Sequence, residues 1–195
     1  MQIIAWIGVF AVLIVFIVIF IIASRSFSKR AKLKKEFYAK ADRQRANMLK
    51  YKNADAGTLS VASAFELIEG LAAGVQEELS DSAAPNAAFL ELPLWRRYAY
   101  AAYYFFSDSR IRLSGFFRSS GEPLLSAALE CLEKTGAEEY LALIRSEYEM
   151  LDDNNDAVSV EEPKIAAWDE AYAKLDPAPL AERVKNVILC AKNEA

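Results

Sequence analysis

The apolar and polar positions divide this chain into one long apolar run and a series of helical patterns. The run covers residues 3–23. After a linker-like break at residues 53–58, apolar residues recur at steps of three and four, which is the spacing of one helix face. The first such set is Val61, Phe65, Ile68, Ala72, Val75 and Leu79. It is followed by four more such sets, up to residue 191, and by the segment 92–110, which is aromatic on nearly every side. No strand-like alternation appears. The pattern predicts an all-α body of about six helices.

The apolar run has the length of a transmembrane helix. Its 21 residues carry no charge and no Pro, and at about 1.5 Å per residue they match the roughly 30 Å hydrocarbon layer of a bilayer. A cleavable signal peptide is the alternative, but it has a shorter apolar core and a basic residue before it. We therefore predict a membrane anchor over residues 1–23, a basic juxtamembrane stalk and linker over 24–57, and a helical domain over 58–195.

Charge is distributed unevenly along the chain. Residues 1–50 contain ten Lys and Arg against two Asp and Glu, whereas residues 51–195 contain thirteen against twenty-five. Basic residues crowd the C-terminal flank of the apolar run, and the positive-inside rule places that flank in the cytoplasm. The expectation is a single-pass protein of the bacterial inner membrane with its N-terminus outside. The stalk then either binds anionic lipid headgroups or is simply solvated. The basic side chains that would contact the headgroups are Arg25, Lys29, Arg30, Lys32, Lys34 and Lys35.

Composition excludes much familiar chemistry. The chain has no His and only two Cys, so it lacks the residues for His-based acid–base catalysis and for a structural four-ligand zinc site. Nucleophile-elbow, phosphate-loop and dinucleotide-binding motifs are also absent from the sequence. We therefore expect no catalytic residue, no cofactor and no bound metal. The acidic body disfavours nucleic acid and favours a basic protein partner.

The candidate partner-binding residues lie in the acidic stretch 152–162 and at Asp169 further along the chain. The stretch lacks the central Gly of a calcium loop, so a docking surface and a solvated loop remain the two interpretations. Asp169 beside Trp168 is a structural hydrogen-bonding residue or part of the same surface. The candidates are Asp152, Asp153, Asp156, Glu161, Glu162 and Asp169.

Aromatic and arginine residues cluster in the middle of the body. The aromatic run Tyr98–Phe106 is expected to lie in the core rather than to form a ligand cage. Five arginines flank it and the following Gly115–Gly121 turn. These arginines either form ion pairs with the acidic residues of the body or bind an anion near that turn. They are Arg96, Arg97, Arg110, Arg112 and Arg118.

Three stretches resemble the DNA-mimic-protein-19-like domain, a small all-helical bacterial domain of mostly unknown function. They are YAYAAYYFFSDSRIRLSGFFRSSGE, ALECLEKTGAEEYLALI and WDEAYAKLDPAPLAERVKNVI, and together the resemblance covers about residues 60–193. The family's turn has Gly-Gly-Phe where this chain has Ser114-Gly115-Phe116. The resemblance implies a helical fold and suggests a homodimer. The founding member is an acidic protein that imitates DNA, a role that depends on surface charge and does not follow from the fold.

The sequence therefore predicts a membrane-tethered, non-catalytic protein-interaction module with an acidic helical body. Two alternatives remain. One is a structural or accessory subunit of a larger membrane complex, assembled through the Ile- and Val-rich run. The other is an enzyme that uses carboxylate and Arg chemistry, which requires an acid such as Asp169 to converge with an Arg in a concave pocket.

Overall fold

A computed structural model describes residues 32–51, 54–152 and 162–195. The chain divides into two compact units, residues 1–43 and residues 44–195. The described part of the first unit is helical over residues 32–43, and all of its side chains are exposed. This helix, α1, continues to residue 51, and residues 44–51 belong to the second unit.

The described part of the second unit contains nine further helices and no β-strand. They are α2 Ala56–Val61, α3 Ala64–Ser80, α4 Pro85–Glu91, α5 Leu94–Asp108, α6 Leu113–Ser119, α7 Leu124–Glu133, α8 Glu138–Asp152, α9 Glu162–Tyr172 and α10 Pro177–Asn193. The all-α prediction is confirmed, but the number of about six is too low. The segments interpreted as linker, break and turn contain the short helices α2, α4 and α6, which are too short to show a repeating apolar face.

The predicted membrane anchor is corrected. No helix in the described part of the chain is both long and apolar enough to cross a membrane, so the structure does not support a transmembrane helix or a single-pass protein of the inner membrane. Residues 3–23, on which that prediction rested, lie outside the described residues.

Helix α5 lies at the centre of the second unit. Its buried face carries Tyr98, Ala101, Ala102 and Phe105, each no more than 1% exposed. Helices α3, α6, α7 and α10 all pack against it. The small residues let the neighbouring helices approach closely, while the two rings fill the space between them. The expectation that this aromatic segment is central to the core is confirmed for these residues.

Helices α3 and α5 pair in opposite directions. Near the start of α3, the ring of Phe65 lies 5.4 Å from that of Phe106 near the end of α5. Near the end of α3, Glu78 Oε2 lies 2.6 Å from Nη2 of Arg96 in the first turn of α5. An apolar contact at one end and an ion pair at the other therefore fix how the two helices lie along each other.

The last turns of α1 pack tightly on the first half of α3. Asn47 donates a hydrogen bond to Glu69 Oε2 (2.9 Å), and the Tyr51 hydroxyl donates to Glu66 Oε2 (3.0 Å). A Cβ atom on Gly70 would lie 2.7 Å from both the Asn47 carbonyl oxygen and Tyr51 Cδ2. The close approach of the two helices therefore requires Gly at this position.

Gly70→Ala is expected to destabilise the protein by about 1–3 kcal/mol, because its methyl group must push the backbone of α1 away from α3. The measurement is chemical denaturation followed by circular dichroism. Gly74→Ala is the matched control, one turn further along α3. Its Cβ would meet only Met48 Cγ, at 3.8 Å, and it should leave stability unchanged or raise it by up to about 1 kcal/mol through helix propensity. Equal losses for both variants would contradict the tight contact at Gly70.

Candidate functional site

Two cavities lie side by side on the surface formed by α3 and α5. The larger measures about 570 Å³ and is bounded by α3, α4, α5 and residues 119–124. The smaller measures about 360 Å³ and also includes Gln44 from α1. Gln76, Tyr100 and Tyr104 line both. We call the two cavities with these three shared residues the tyrosine groove.

Helix geometry places the two tyrosines on one face of α5. Tyr100 and Tyr104 are four residues apart, so both lie over the same part of α3. Their hydroxyls donate hydrogen bonds to the same Gln76 Oε1, at 2.7 and 2.8 Å, and their rings meet edge to face with centroids 4.9 Å apart. Burial raises the pKa of Tyr100. Both rings are half-buried, so the groove has an aromatic floor with an amide at its centre.

The polar residues along the groove are acidic or neutral. Asp108 and Glu122 line the larger cavity, and Glu69 lines the smaller. Asp108 Oδ2 accepts a hydrogen bond from Ser119 Oγ, and Glu122 Oε2 accepts one from Ser126 Oγ, each at 2.6 Å. Among the residues that the structure describes, neither carboxylate has an ion pair, and no Lys or Arg lines either cavity. Every charged residue that lines the groove is therefore acidic.

A second cluster lies where α6, α8 and α9 meet. Asp169 on α9 accepts hydrogen bonds from the backbone N–H of Ser114 (2.9 Å) and from its hydroxyl (2.8 Å), and so holds the start of α6. Glu147 on α8 is fully buried, and neither of its carboxylate oxygens has a hydrogen-bond partner among the described residues. Burial raises its pKa to about 8, the negative charge of Asp169 adds to the rise, and Arg118 opposes it.

A third cavity, of about 350 Å³, lies between α7 and α10 and carries two basic side chains. Lys134 Nζ lies 3.4 Å from Glu130 Oε1, and Arg183 donates to the Gly136 carbonyl at 3.2 Å. Both cations are thus already engaged within the fold. The exposed Cys190 also lines this cavity, whereas burial raises the pKa of the other free cysteine, Cys131, to about 12.

The structure does not gather the residues predicted from sequence into one site. Lys32, Lys34 and Lys35 are exposed on α1 within the first unit. Lys32 Nζ lies 3.9 Å from Glu36 Oε1, and Lys34 Nζ lies 5.8 Å from the centre of the Tyr38 ring. The other three basic candidates, Arg25, Lys29 and Arg30, lie outside the described residues.

The acidic candidates are only partly described. Asp152 ends α8 and Glu162 begins α9, but their side chains lie outside the described part, as do Asp153, Asp156 and Glu161 entirely. Asp169 is half-buried and makes the two hydrogen bonds to Ser114 given above. That geometry matches the structural interpretation of Asp169, and it leaves the docking surface at the acidic stretch a prediction.

The sequence pattern predicts that the tyrosines of α5 lie in the core as a block, and it singles out neither Gln76 nor Glu147. The sequence nevertheless contains an indication of both the tyrosine groove and the cluster around Glu147. The four-residue spacing of Tyr100 and Tyr104 separates them from the buried set at 98, 101, 102 and 105. Glu147 lies on the apolar stripe of α8, three residues after Ile144, which marks it as a carboxylate facing the core.

No protein-family model, curated protein or solved structure matches the chain. The resemblance to the DNA-mimic-protein-19-like domain thus stays a prediction, and the function must be argued from the residues themselves.

Glu147→Gln is expected to stabilise the protein increasingly as pH rises. The pKa of Glu147 is about 8 in the folded state against 4.5 normally, so between these values the folded chain retains a proton that the unfolded chain loses. The wild type therefore loses stability relative to the variant from about pH 4.5 to pH 8, by at most about 1.4 kcal/mol per pH unit. Above pH 8 the difference should level off.

Urea denaturation at a series of pH values gives this difference directly. Glu149→Gln is the matched control, because it removes an exposed carboxylate from the same helix and should give a flat difference. A flat curve for Glu147→Gln as well would show that the buried carboxyl does not retain its proton.

Proposed function

We propose that this chain is a non-catalytic protein-interaction module whose tyrosine groove binds a basic segment of a partner protein. The single observation that carries the proposal is the pairing of an aromatic floor with carboxylates that have no cation. Tyr residues supply much of the binding energy in protein interfaces, because they bury a large area with little conformational freedom to lose. The tyrosine groove contributes Tyr100, Tyr103 and Tyr104 within one turn of α5.

Charge complementarity supports a basic partner. Elsewhere the acidic excess of the body is partly neutralised within the fold, as at Glu78 with Arg96 and Glu133 with Arg145. The carboxylates of Asp108 and Glu122 accept hydrogen bonds from serines instead, and no Lys or Arg among the described residues forms an ion pair with them. A Lys or Arg of a partner supplies the missing cation, and the charge also accelerates encounter.

The enzyme alternative receives less support from these residues. Asp169 is engaged by Ser114, and Glu147 lines none of the three cavities described above. The cluster of Glu147, Asp169 and Arg118 is thus better interpreted as a means of holding α6 against α8 and α9.

Photo-crosslinking tests the proposed interface. A photo-reactive residue in place of Ser80, which is exposed and lines the larger cavity, should crosslink to a partner through a segment containing Lys or Arg. The same residue in place of Glu149 on α8 is the positional control and should not give that product. Identical products from both positions, or none from the groove, would overturn the proposal.

Neutralising the groove should weaken that crosslink. Asp108→Asn with Glu122→Gln retains both hydrogen-bond acceptors and removes two charges, so the crosslinked yield is expected to fall about tenfold at low partner concentration. Glu139→Gln with Glu149→Gln removes two exposed charges from α8 and serves as the matched control. A yield equally reduced in both double variants would mean that net charge, rather than the groove, attracts the partner.

A further inference from the structure

The larger cavity of the tyrosine groove is lined by side-chain hydrogen-bond donors as well as by carboxylates, and these donors bear on the conformation of a partner. Gln76 Nε2, Asn86 Nδ2 and Ser120 Oγ all belong to side chains that line the larger cavity. Within the described part of the chain, none of these three donors has a hydrogen-bond partner. The acceptor of Gln76, by contrast, already receives the hydroxyls of Tyr100 and Tyr104.

A bound segment must satisfy these donors once water is displaced. An α-helical partner cannot do so through its backbone, because its carbonyl groups already accept bonds within the helix. Unless acceptor side chains of the helix reach them, the donors would then be buried without partners, which weakens binding. A segment in the polyproline II conformation has no internal hydrogen bonds, so its carbonyls are available.

The aromatic floor favours the same partner. Proline-rich segments bind grooves lined by aromatic side chains, where the flat pyrrolidine ring packs against the ring faces and little entropy is lost on binding. In the tyrosine groove the rings of Phe89 and Tyr100 lie 5.8 Å apart, and Tyr103 and Tyr104 lie 5.5 Å apart. Because Pro lacks a backbone N–H, a proline-rich chain brings carbonyl acceptors to these three donors and adds few donors of its own.

We propose that the tyrosine groove binds a proline-rich segment in the polyproline II conformation, with Lys or Arg beside the prolines to meet Asp108 and Glu122. This proposal rests on the proposed function, since it specifies the chemistry of the same partner. The prolines occupy the aromatic floor, the segment's carbonyls accept from Gln76, Asn86 and Ser120, and the basic side chains lie at the carboxylates.

Three synthetic peptides separate the contributions of conformation and charge. The first repeats Pro-Pro-Leu-Pro with an Arg at each end, the second replaces every Pro by Ala, and the third replaces both Arg by Glu. Isothermal titration calorimetry on the full chain should show binding of the first, with affinity at least about tenfold lower for the other two. Equal affinity for the Pro and Ala peptides would overturn the proposal while leaving a basic partner in place.

Two single variants test the donors. Asn86→Ala and Ser120→Ala should each weaken binding of the Pro peptide about fivefold, the effect of losing one hydrogen bond. Ser107→Ala is the matched control, because Ser107 is exposed on α5 and lines neither cavity, and it should leave affinity unchanged. If donor variants and control behave alike, the assignment of the donors is wrong.

The outcome also separates this proposal from the proposed function. No binding of the Pro peptide, together with a crosslink from position 80 to a basic segment without prolines, would overturn the polyproline II inference alone. The absence of both peptide binding and crosslink would overturn both.

Discussion

The antiparallel pairing of α3 with α5 is the contact on which the rest of the second unit depends. Among the helices that pack against α5, α3 pairs with it over most of its length, from Phe65 against Phe106 to Glu78 against Arg96. The buried face fills the core with Tyr98 and Phe105. The half-buried face leaves tyrosine hydroxyls that need partners, and α3 provides one in Gln76. The tyrosine groove is thus a direct consequence of how this pair packs.

The need of the tyrosine hydroxyls for hydrogen-bond partners explains which polar groups the groove leaves available. The hydroxyls of Tyr100 and Tyr104 share the amide oxygen of Gln76. The amide nitrogen of Gln76 has no hydrogen-bond partner among the described residues. Tyr103 instead accepts a hydrogen bond from Gln44, which ties the last turns of α1 to the same face. The close contact at Gly70 makes that arrangement possible, because it lets residues 44–51 lie near α3 and α5. One glycine in α3 thereby influences the smaller cavity.

The six longer helices of the body could be predicted from the sequence. Five of them have an apolar stripe that repeats over two turns or more, and α5 has its run of aromatic residues. The short helices could not, because a helix of six or seven residues forms only when neighbours stabilise it. In α6, for example, Gly115 allows the helix to approach the end of α5, where a Cβ atom would lie 2.7 Å from the Asp108 carbonyl oxygen. The tyrosine groove could not be predicted from the sequence for a similar reason. The sequence shows that Tyr100 and Tyr104 share a face, but the face that they meet on α3 depends on tertiary packing.

Helix α6 connects the two clusters that sequence reasoning did not identify. Its first turn is held by Asp169 through Ser114, beside the buried Glu147. At its other end, Ser119 donates to Asp108, and residues 119–124 form a wall of the larger cavity. Seven residues of helix cannot hold this position unaided. The hydrogen bonds at the two ends therefore act on one short element. The geometry of the groove wall thus depends in part on the contact of Asp169 with Ser114, at the far end of α6.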